Sequence, residues 1–251
     1  MSRLELIGLE GLGEVRQGDS VGKLISQACA RQGLALTDGD VVVVAHKIVS
    51  KAEGRIVRLE GIQPSARALE LARKLNKDPL LLEIVLGECR RIIRIGGGTI
   101  IVETHHGFIC ANAGVDLSNA GLGQVALLPL DPDRSAREIR KEIRQSGGAA
   151  PGVIISDSFG RPWRLGTVDV ALGVAGLKAV KDYRGQKDRY GYELKGSVAA
   201  IADELASAAE LVMSKSGGIP VVIARGYDLE KDDGSVKELL RPEAEDLFRN
   251  F

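Results

Sequence analysis

The sequence predicts an α+β fold, and three observations point there. Helical and strand periods alternate irregularly, with a hairpin signal in mid-chain rather than a steady βαβ rhythm. Neither common nucleotide-binding α/β signature is present. Gly18-Asp19-Ser20-Val21-Gly22-Lys23-Leu24 has the wrong spacing for GxxxxGK[ST], and no GxGxxG lies between a strand and a helix. No internal repeat, low-complexity tract or linker divides the 251 residues, so a single unit over 1–251 is expected.

Residues 4–7 read as a strand entering a glycine-rich turn, 8–18. From Ser20, the residues Val21, Leu24, Ile25 and Ala28 recur at helical spacing until Gly33 stops them. Four consecutive valines within 40–45, after an Asp-Gly turn, mark a buried strand. Helices are expected from Ser65, an N-cap after Pro64, and from Asp78, with Pro79 in the first turn. Segments 91–95 and 99–102 flank Gly96-Gly97-Gly98 as a hairpin. Phe108-Ile109-Cys110 leads into a polar segment, 112–119, and 127–132 is extended. A helix over 135–145 ends at Gly147-Gly148. Residues 153–156 form another buried strand that runs straight into Asp157-Ser158. A long helix, 197–213, carries Val198, Ile201, Leu205, Ala208 and Val212 on one stripe. The loop 214–218 joins it to a strand over 220–224, and a short acidic helix closes the chain.

Composition narrows the function. Thirty-four basic residues balance thirty-four acidic ones, so no global field draws the protein to nucleic acid or a membrane surface. No run approaches the ~20 apolar residues of a membrane span, and the start, Met1-Ser2-Arg3-Leu4-Glu5, lacks the apolar stretch of a signal peptide. The cytoplasm is the expected compartment. Cys29, Cys89 and Cys110 lie far apart without a CxxC pair, so reduced, packed thiols are expected. With only His46, His105 and His106, histidine-based catalysis is poorly supplied, and His105-His106 lacks the spacing of a metal-binding helix. Glycine is abundant, 31 of 251 residues against roughly 7% typically. That excess suits tight turns and close approach of backbone to a ligand.

The strongest chemical signal is a pair of aspartates. Asp157 follows a buried strand with the Ser158 hydroxyl beside it, and Asp116 sits in a turn with Asn112, Gly114, Ser118 and Asn119. Carboxylate plus hydroxyl is an oxygen set suited to Mg²⁺ or Mn²⁺ and not to zinc. An aspartate in a turn commonly does no more than cap the backbone. Lys51 lies just beyond the valine strand, and His46 and Lys47 stand where it ends. They are candidates for holding phosphate, with solvated surface residues as the plainer alternative. The charge-dense 178–185 reads as a solvated loop or an anion-binding one. Ser214-Lys215-Ser216-Gly217-Gly218 reads as a helix-ending turn or a backbone cradle for phosphate.

Six blocks in one order resemble a single family: Ile48-Val49-Ser50-Lys51-Ala52-Glu53-Gly54-Arg55, Asn112-Ala113-Gly114-Val115-Asp116-Leu117-Ser118-Asn119, Leu128-Pro129-Leu130-Asp131-Pro132-Asp133, Ile154-Ile155-Ser156-Asp157-Ser158-Phe159-Gly160-Arg161, Lys178-Ala179-Val180-Lys181-Asp182 and Gly218-Ile219-Pro220-Val221-Val222. That family is the coenzyme F420-0:γ-glutamyl ligases, and the resemblance covers essentially the whole chain. It implies a homodimer with a family-specific fold of two intertwined α+β lobes, on mixed and antiparallel sheets with flanking helices. It implies GTP-dependent addition of L-glutamate to the lactyl carboxylate of F420-0 through an acyl phosphate, with GDP and phosphate released. Some members add further γ-linked glutamates.

The same resemblance implies metal ligands at Asp116, Asp157 and Ser158, the last standing for a threonine, with Lys51 joining the two aspartates in catalysis. It implies nucleotide contacts at Leu12, Gly13, Glu14, Val15, His46, Lys47, Lys51 and Asn119, and at Met213, Ser214, Lys215, Ser216, Gly217 and Gly218. The expected cofactors are Mg²⁺ or Mn²⁺ with GTP as co-substrate, and K⁺ as a further candidate. Expected partners are F420-0, L-glutamate and GTP, without nucleic acid or membrane. Two departures stand out. Lys215 lies near where archaeal members carry an acidic metal ligand, so one firmly held metal is expected rather than a fully ligated pair. His46-Lys47 replaces small hydroxyl residues. The nitroreductase-like domain fused in mycobacterial relatives is not expected at this length. Two other readings stay open: a glutamyl ligase acting on another cofactor such as a folate, and a nucleotide-binding module without catalysis.

Overall fold

The computed structural model describes residues 3–248. Met1 and Ser2, from the start judged unlike a signal peptide, lie outside the described residues, as do 249–251 at the end of the expected C-terminal helix.

The chain opens with β1 (Glu5–Gly8) and, after the glycine-rich loop, α1 (Val21–Arg31). Strand β2 (Val41–Ala45) passes directly into α2 (His46–Ala52), a helix with no sequence signal, because Ala45 offers its N-terminus no side-chain cap. After β3 (Ile56–Arg58) come α3 (Ala66–Leu75) and α4 (Pro79–Gly87), each starting where its cap predicts. The Ser65 hydroxyl accepts from the Ala68 N–H, and the Asp78 carboxylate from the Leu80 N–H. The expected hairpin forms as β4 (Cys89–Gly96) and β5 (Thr99–Thr104), and β6 (Ile109–Ala111) adds a third antiparallel strand. Strand β7 (Gln124–Ala126) pairs with β3.

Helix α5 (Pro132–Gly147) begins three residues before the expected start, because Asp131 rather than Ser135 caps it, accepting from the Arg134 N–H at 2.9 Å. The strand expected to end at Ser156 does not end there. Strand β8 (Gly152–Arg161) carries Asp157 and Ser158 within it, held by pairing with β9 (Arg164–Ala175). Two short strands, β10 (Lys181–Asp182) and β11 (Val198–Ala199), pair with each other, so α6 (Ile201–Met213) starts later than expected. Val198 is therefore an exposed strand residue, and the buried stripe of α6 is Ile201, Ala202, Leu205, Ala206, Ala209 and Met213. Ala208 and Val212 are only half-buried. Strand β12 (Val221–Arg225) follows, and two 3-10 turns, Val236–Leu239 and Glu243–Glu245, stand in place of the acidic helix.

Five strands form the main sheet in the order β1-β12-β2-β8-β9, with only β2 and β8 parallel. Successive residues of a strand face opposite sides, yet Val41, Val42, Val43 and Val44 are all fully buried, so both faces of the sheet are covered. Helices α5 and α6 pack on it, and α1 packs on α5. A second apolar core gathers Leu71 and Leu82 from the helix pair, Ile100 and Val102 from β5, and Val125 from β7. The result is a mixed α+β arrangement of several sheets with flanking helices, without P-loop or Rossmann topology among the described residues.

Asp116 and Asp157 hang from different parts of this framework. Asp116 exchanges backbone hydrogen bonds with Ala126 of β7, at 3.0 and 2.8 Å, beside Ala113 and Val115 of the second core. Asp157 belongs to the main sheet. At the far tip of the β8–β9 hairpin, Trp163 and Leu165 are 82% and 97% exposed, and Trp163 meets the Phe248 ring edge-on at 4.9 Å between centroids.

Candidate functional site

The parallel register of β2 on β8 sets Ala45 opposite Ser156, so the first turn of α2 lies against Asp157. His46 is 1% exposed, and its ring is held at the Nδ1 end. The Ser50 hydroxyl donates to the Leu127 carbonyl at 2.6 Å, which leaves its oxygen to accept from His46 Nδ1–H at 3.3 Å. That fixes Nε2 as the nitrogen facing Asp157. Nε2 stands 3.3 Å from Asp157 Oδ1 but is not aligned for a hydrogen bond. Asp157 Oδ1 also accepts from the Ser158 N–H at 2.7 Å.

One residue later, Lys47 reaches across to Asp116. Its Nζ lies 2.7 Å from Asp116 Oδ2 and donates to the Ser118 hydroxyl, also at 2.7 Å. Ser118 in turn donates its N–H to Asp116 Oδ1 at 2.7 Å and its hydroxyl to Oδ2 at 2.9 Å. Burial pushes the Asp116 carboxyl up, but Lys47 and Ser118 together outweigh it and hold the pKa below the ordinary carboxylate range. A turn further along α2, Lys51 Nζ lies 2.5 Å from Glu14 Oε1, tying the helix to the glycine-rich loop.

A buried carboxylate that the sequence does not reveal completes the floor. Asp169, in β9, is 5% exposed and accepts from the Ser156 hydroxyl at 2.9 Å and the Ser158 hydroxyl at 2.6 Å. Lys215 descends on the same group: it donates to the Ser158 hydroxyl, sits 2.9 Å from Glu210 Oε1 and 3.7 Å from Asp169 Oδ1. Burial lowers the Lys215 pKa, but Glu210, Asp169 and Asp157 outweigh it, so the ammonium is held above its usual range. The loop carrying Lys215 turns through Ser214 at φ +49° and Gly218 at φ +68°, with the Gly217 N–H donating to Ser214 Oγ at 2.8 Å.

These groups surround one cavity of about 580 Å³. Its wall includes Gly13, Glu14, Val15, His46, Lys47, Lys51, Asn119, Asp157, Ser158, Met213, Ser214, Lys215, Ser216 and Gly218. Three expected positions stand off the wall. Leu12 is buried in the main core, Gly217 supports its own turn, and Asp116 sits behind Lys47 and Ser118. Asp169 and Glu210 line the cavity without having been expected. A lone charge between Val168 and Val170 was the available signal, since a buried carboxylate requires partners.

The charge-dense 178–184 contributes nothing to this wall. Lys178 pairs with Glu230, and Arg184 grips Asp182, whose pKa it pulls down to about 2. Cys110 is no nucleophile: burial, with Asp157 nearby, pushes its thiol up to about 12. His106 stacks on Phe108 and hydrogen-bonds the Pro129 carbonyl, a packing role.

Asp116, Asp157 and Ser158 offer carboxylate and hydroxyl oxygens of the kind a hard divalent ion takes, with one nitrogen, His46 Nε2, beside Asp157. Among the described residues no group of three or more His, Cys, Asp or Glu side chains is placed to hold an ion alone.

The comparisons agree with one another. The sequence matches the family described as "F420-0:Gamma-glutamyl ligase" over residues 11–226. It is 49% identical over 249 residues to the coenzyme F420:L-glutamate ligase of Methanothermobacter thermautotrophicus, covering 98% of this chain and 99% of that one. The ligase of the same name from Methanocaldococcus jannaschii is 46% identical over 249 residues, covering 99% and 98%. That of Archaeoglobus fulgidus is 42% identical over 248 residues, covering 98% and 97%.

Proposed function

The chain belongs to the F420-0:γ-glutamyl ligase family, and from that premise we propose that it joins the amine of L-glutamate to the lactyl carboxylate of F420-0 at the expense of GTP. The observation that carries this reading is the cavity itself, where three lysines, Lys47, Lys51 and Lys215, face a carboxylate–hydroxyl group made by Asp157, Ser158 and Asp169. Such a wall suits a polyphosphate together with a cation.

A carboxylate does not react with an amine until one oxygen is made a leaving group. In the proposed route the lactyl carboxylate oxygen attacks the γ-phosphorus, and the bond from that phosphorus to the β-phosphate oxygen breaks, giving an acyl phosphate and GDP. The glutamate nitrogen then attacks the acyl carbon, phosphate departs and the nitrogen loses its proton. Phosphoryl transfer needs positioning and charge neutralisation more than a protein nucleophile, and the three lysines of the wall supply positive charge. Lys51, anchored on α2, neutralises charge at the transferring phosphate. Asp116, Asp157 and Ser158 would hold Mg²⁺ or Mn²⁺, which when bound supplies Lewis-acid neutralisation of the phosphate oxygens. The Ser158 N–H keeps Asp157 oriented, and the loop Ser214-Lys215-Ser216-Gly217-Gly218 lies against the nucleotide.

The proposal extends to a homodimer acting in the cytoplasm. Among the described residues no helix is long and apolar enough to cross a membrane. The deciding experiment is incubation of the protein with F420-0, labelled L-glutamate, Mn²⁺ and either GTP or ATP. GTP-dependent label in a deazaflavin product is expected, and no labelled product with either nucleotide would sink the reading.

A further inference from the structure

All three lysines of the cavity wall are already engaged by carboxylates: Lys47 by Asp116, Lys51 by Glu14, and Lys215 by Glu210 with Asp169. With Asp157, five carboxylates face three ammonium groups. A polyphosphate entering alone would meet an excess of negative charge, with each of the three lysines already paired. The three pairs differ in one respect. Glu14 has no part in the proposed metal site and Lys215 meets it through the neutral Ser158 hydroxyl, whereas Lys47 sits on a charged ligand, Asp116. An ammonium and a divalent ion therefore compete for the same oxygen, Asp116 Oδ2.

We propose that Lys47 is a resident cation on Asp116, displaced by the divalent ion and swung onto the nucleotide phosphates, so that metal and nucleotide each strengthen the other's binding. The inference rests on the reading of Asp116 as a metal ligand. The fold allows the swing. The backbone of Lys47 is fixed between buried His46 and Ile48 in the first turn of α2, while its side chain is 23% exposed. Its four-carbon stem carries rotatable donors, so the ammonium can change partners without moving the helix. Ser118 follows the same logic, because its hydroxyl bridges Lys47 and Asp116 and is released with them. Coupling of this kind is reciprocal, so it must appear in both binding measurements.

The test uses the full chain, with Mn²⁺ followed by the electron paramagnetic resonance signal of the free ion, and GTP affinity by calorimetry. Lys47→Met should tighten Mn²⁺ binding without nucleotide by roughly threefold to tenfold, the range for removing a charged, partly exposed hydrogen-bonded competitor. The same variant should weaken GTP binding in the presence of Mn²⁺ by about tenfold. These opposite signs are the signature, because a merely structural lysine would weaken both. Lys51→Met should weaken GTP binding yet shift nucleotide-free Mn²⁺ affinity by less than about twofold, and Lys47→Arg should keep wild-type Mn²⁺ affinity within about twofold. Lys47→Gln serves if the methionine variant does not fold. Mn²⁺ affinity unchanged or weakened in the neutral Lys47 variants, while Asp116→Asn loses Mn²⁺, overturns this proposal alone. Unchanged Mn²⁺ affinity in Asp116→Asn overturns the metal reading and this proposal with it.

Discussion

Asp157 shows what one residue can be asked to do here. Its carboxylate is fixed by the Ser158 N–H on one side and faces His46 on the other. Asp157→Asn keeps the volume and an oxygen for the Ser158 contact but removes the charge. Turnover in the labelled-glutamate assay should fall by about 100-fold or more, the scale of losing one electrostatic contact to a transferring group, with circular dichroism unchanged. Near-wild-type turnover at saturating Mn²⁺ would end its role as a metal ligand. That Asp157, Ser158 and Lys51 could matter was suggested by their place at strand ends, and the fold brings them to one cavity, while the roles proposed for them and for Asp116 come from the family resemblance. Asp169 and Glu210 were not legible. Their meaning comes from β8 lying across β9 and from the pitch of α6, neither of which local sequence displays. His46 was legible as a polar group at a strand end, but not as a buried one held by Ser50, whose hydroxyl is itself fixed on the Leu127 carbonyl.

Elements were legible where their signals are local. Ser65 and Asp78 cap α3 and α4, and such caps act over three residues. Helix α2 has no cap, and the length of β8 depends on its partner strand, so both required the tertiary structure. The fit between α5 and the main sheet is a further non-local condition. A Cβ placed on Gly173 would lie 2.2 Å from the Pro132 carbonyl oxygen, while the neighbouring Val174 N–H donates to Asp133 at 2.8 Å. Gly173→Ala cannot be absorbed by rotating a side chain, because the clash is with backbone. It should cost roughly 1–3 kcal/mol, the scale of overpacking a core, read as a lower urea midpoint with an unchanged slope. An unchanged midpoint would show that α5 is free to shift. Since α5 also packs on α1, the loss should be global rather than confined to the hairpin.

At the scale of the whole molecule, the mixed α+β class was legible from irregular alternation alone, whereas the cavity was not. Asp157 on its wall belongs to the main sheet and Asp116 behind it pairs with β7, and composition cannot say that these parts meet. The β8–β9 hairpin carries the chain's one tryptophan at its exposed tip. That placement makes Trp163 an optical label for the surface rather than the interior. Its emission in the folded chain should already be that of an indole in water, so heating should melt the circular dichroism signal with almost no accompanying colour change. A folded-state maximum well to the blue of the unfolded one, drifting red on dilution, would place the tip inside a contact between two copies and turn the same indole into a gauge of assembly.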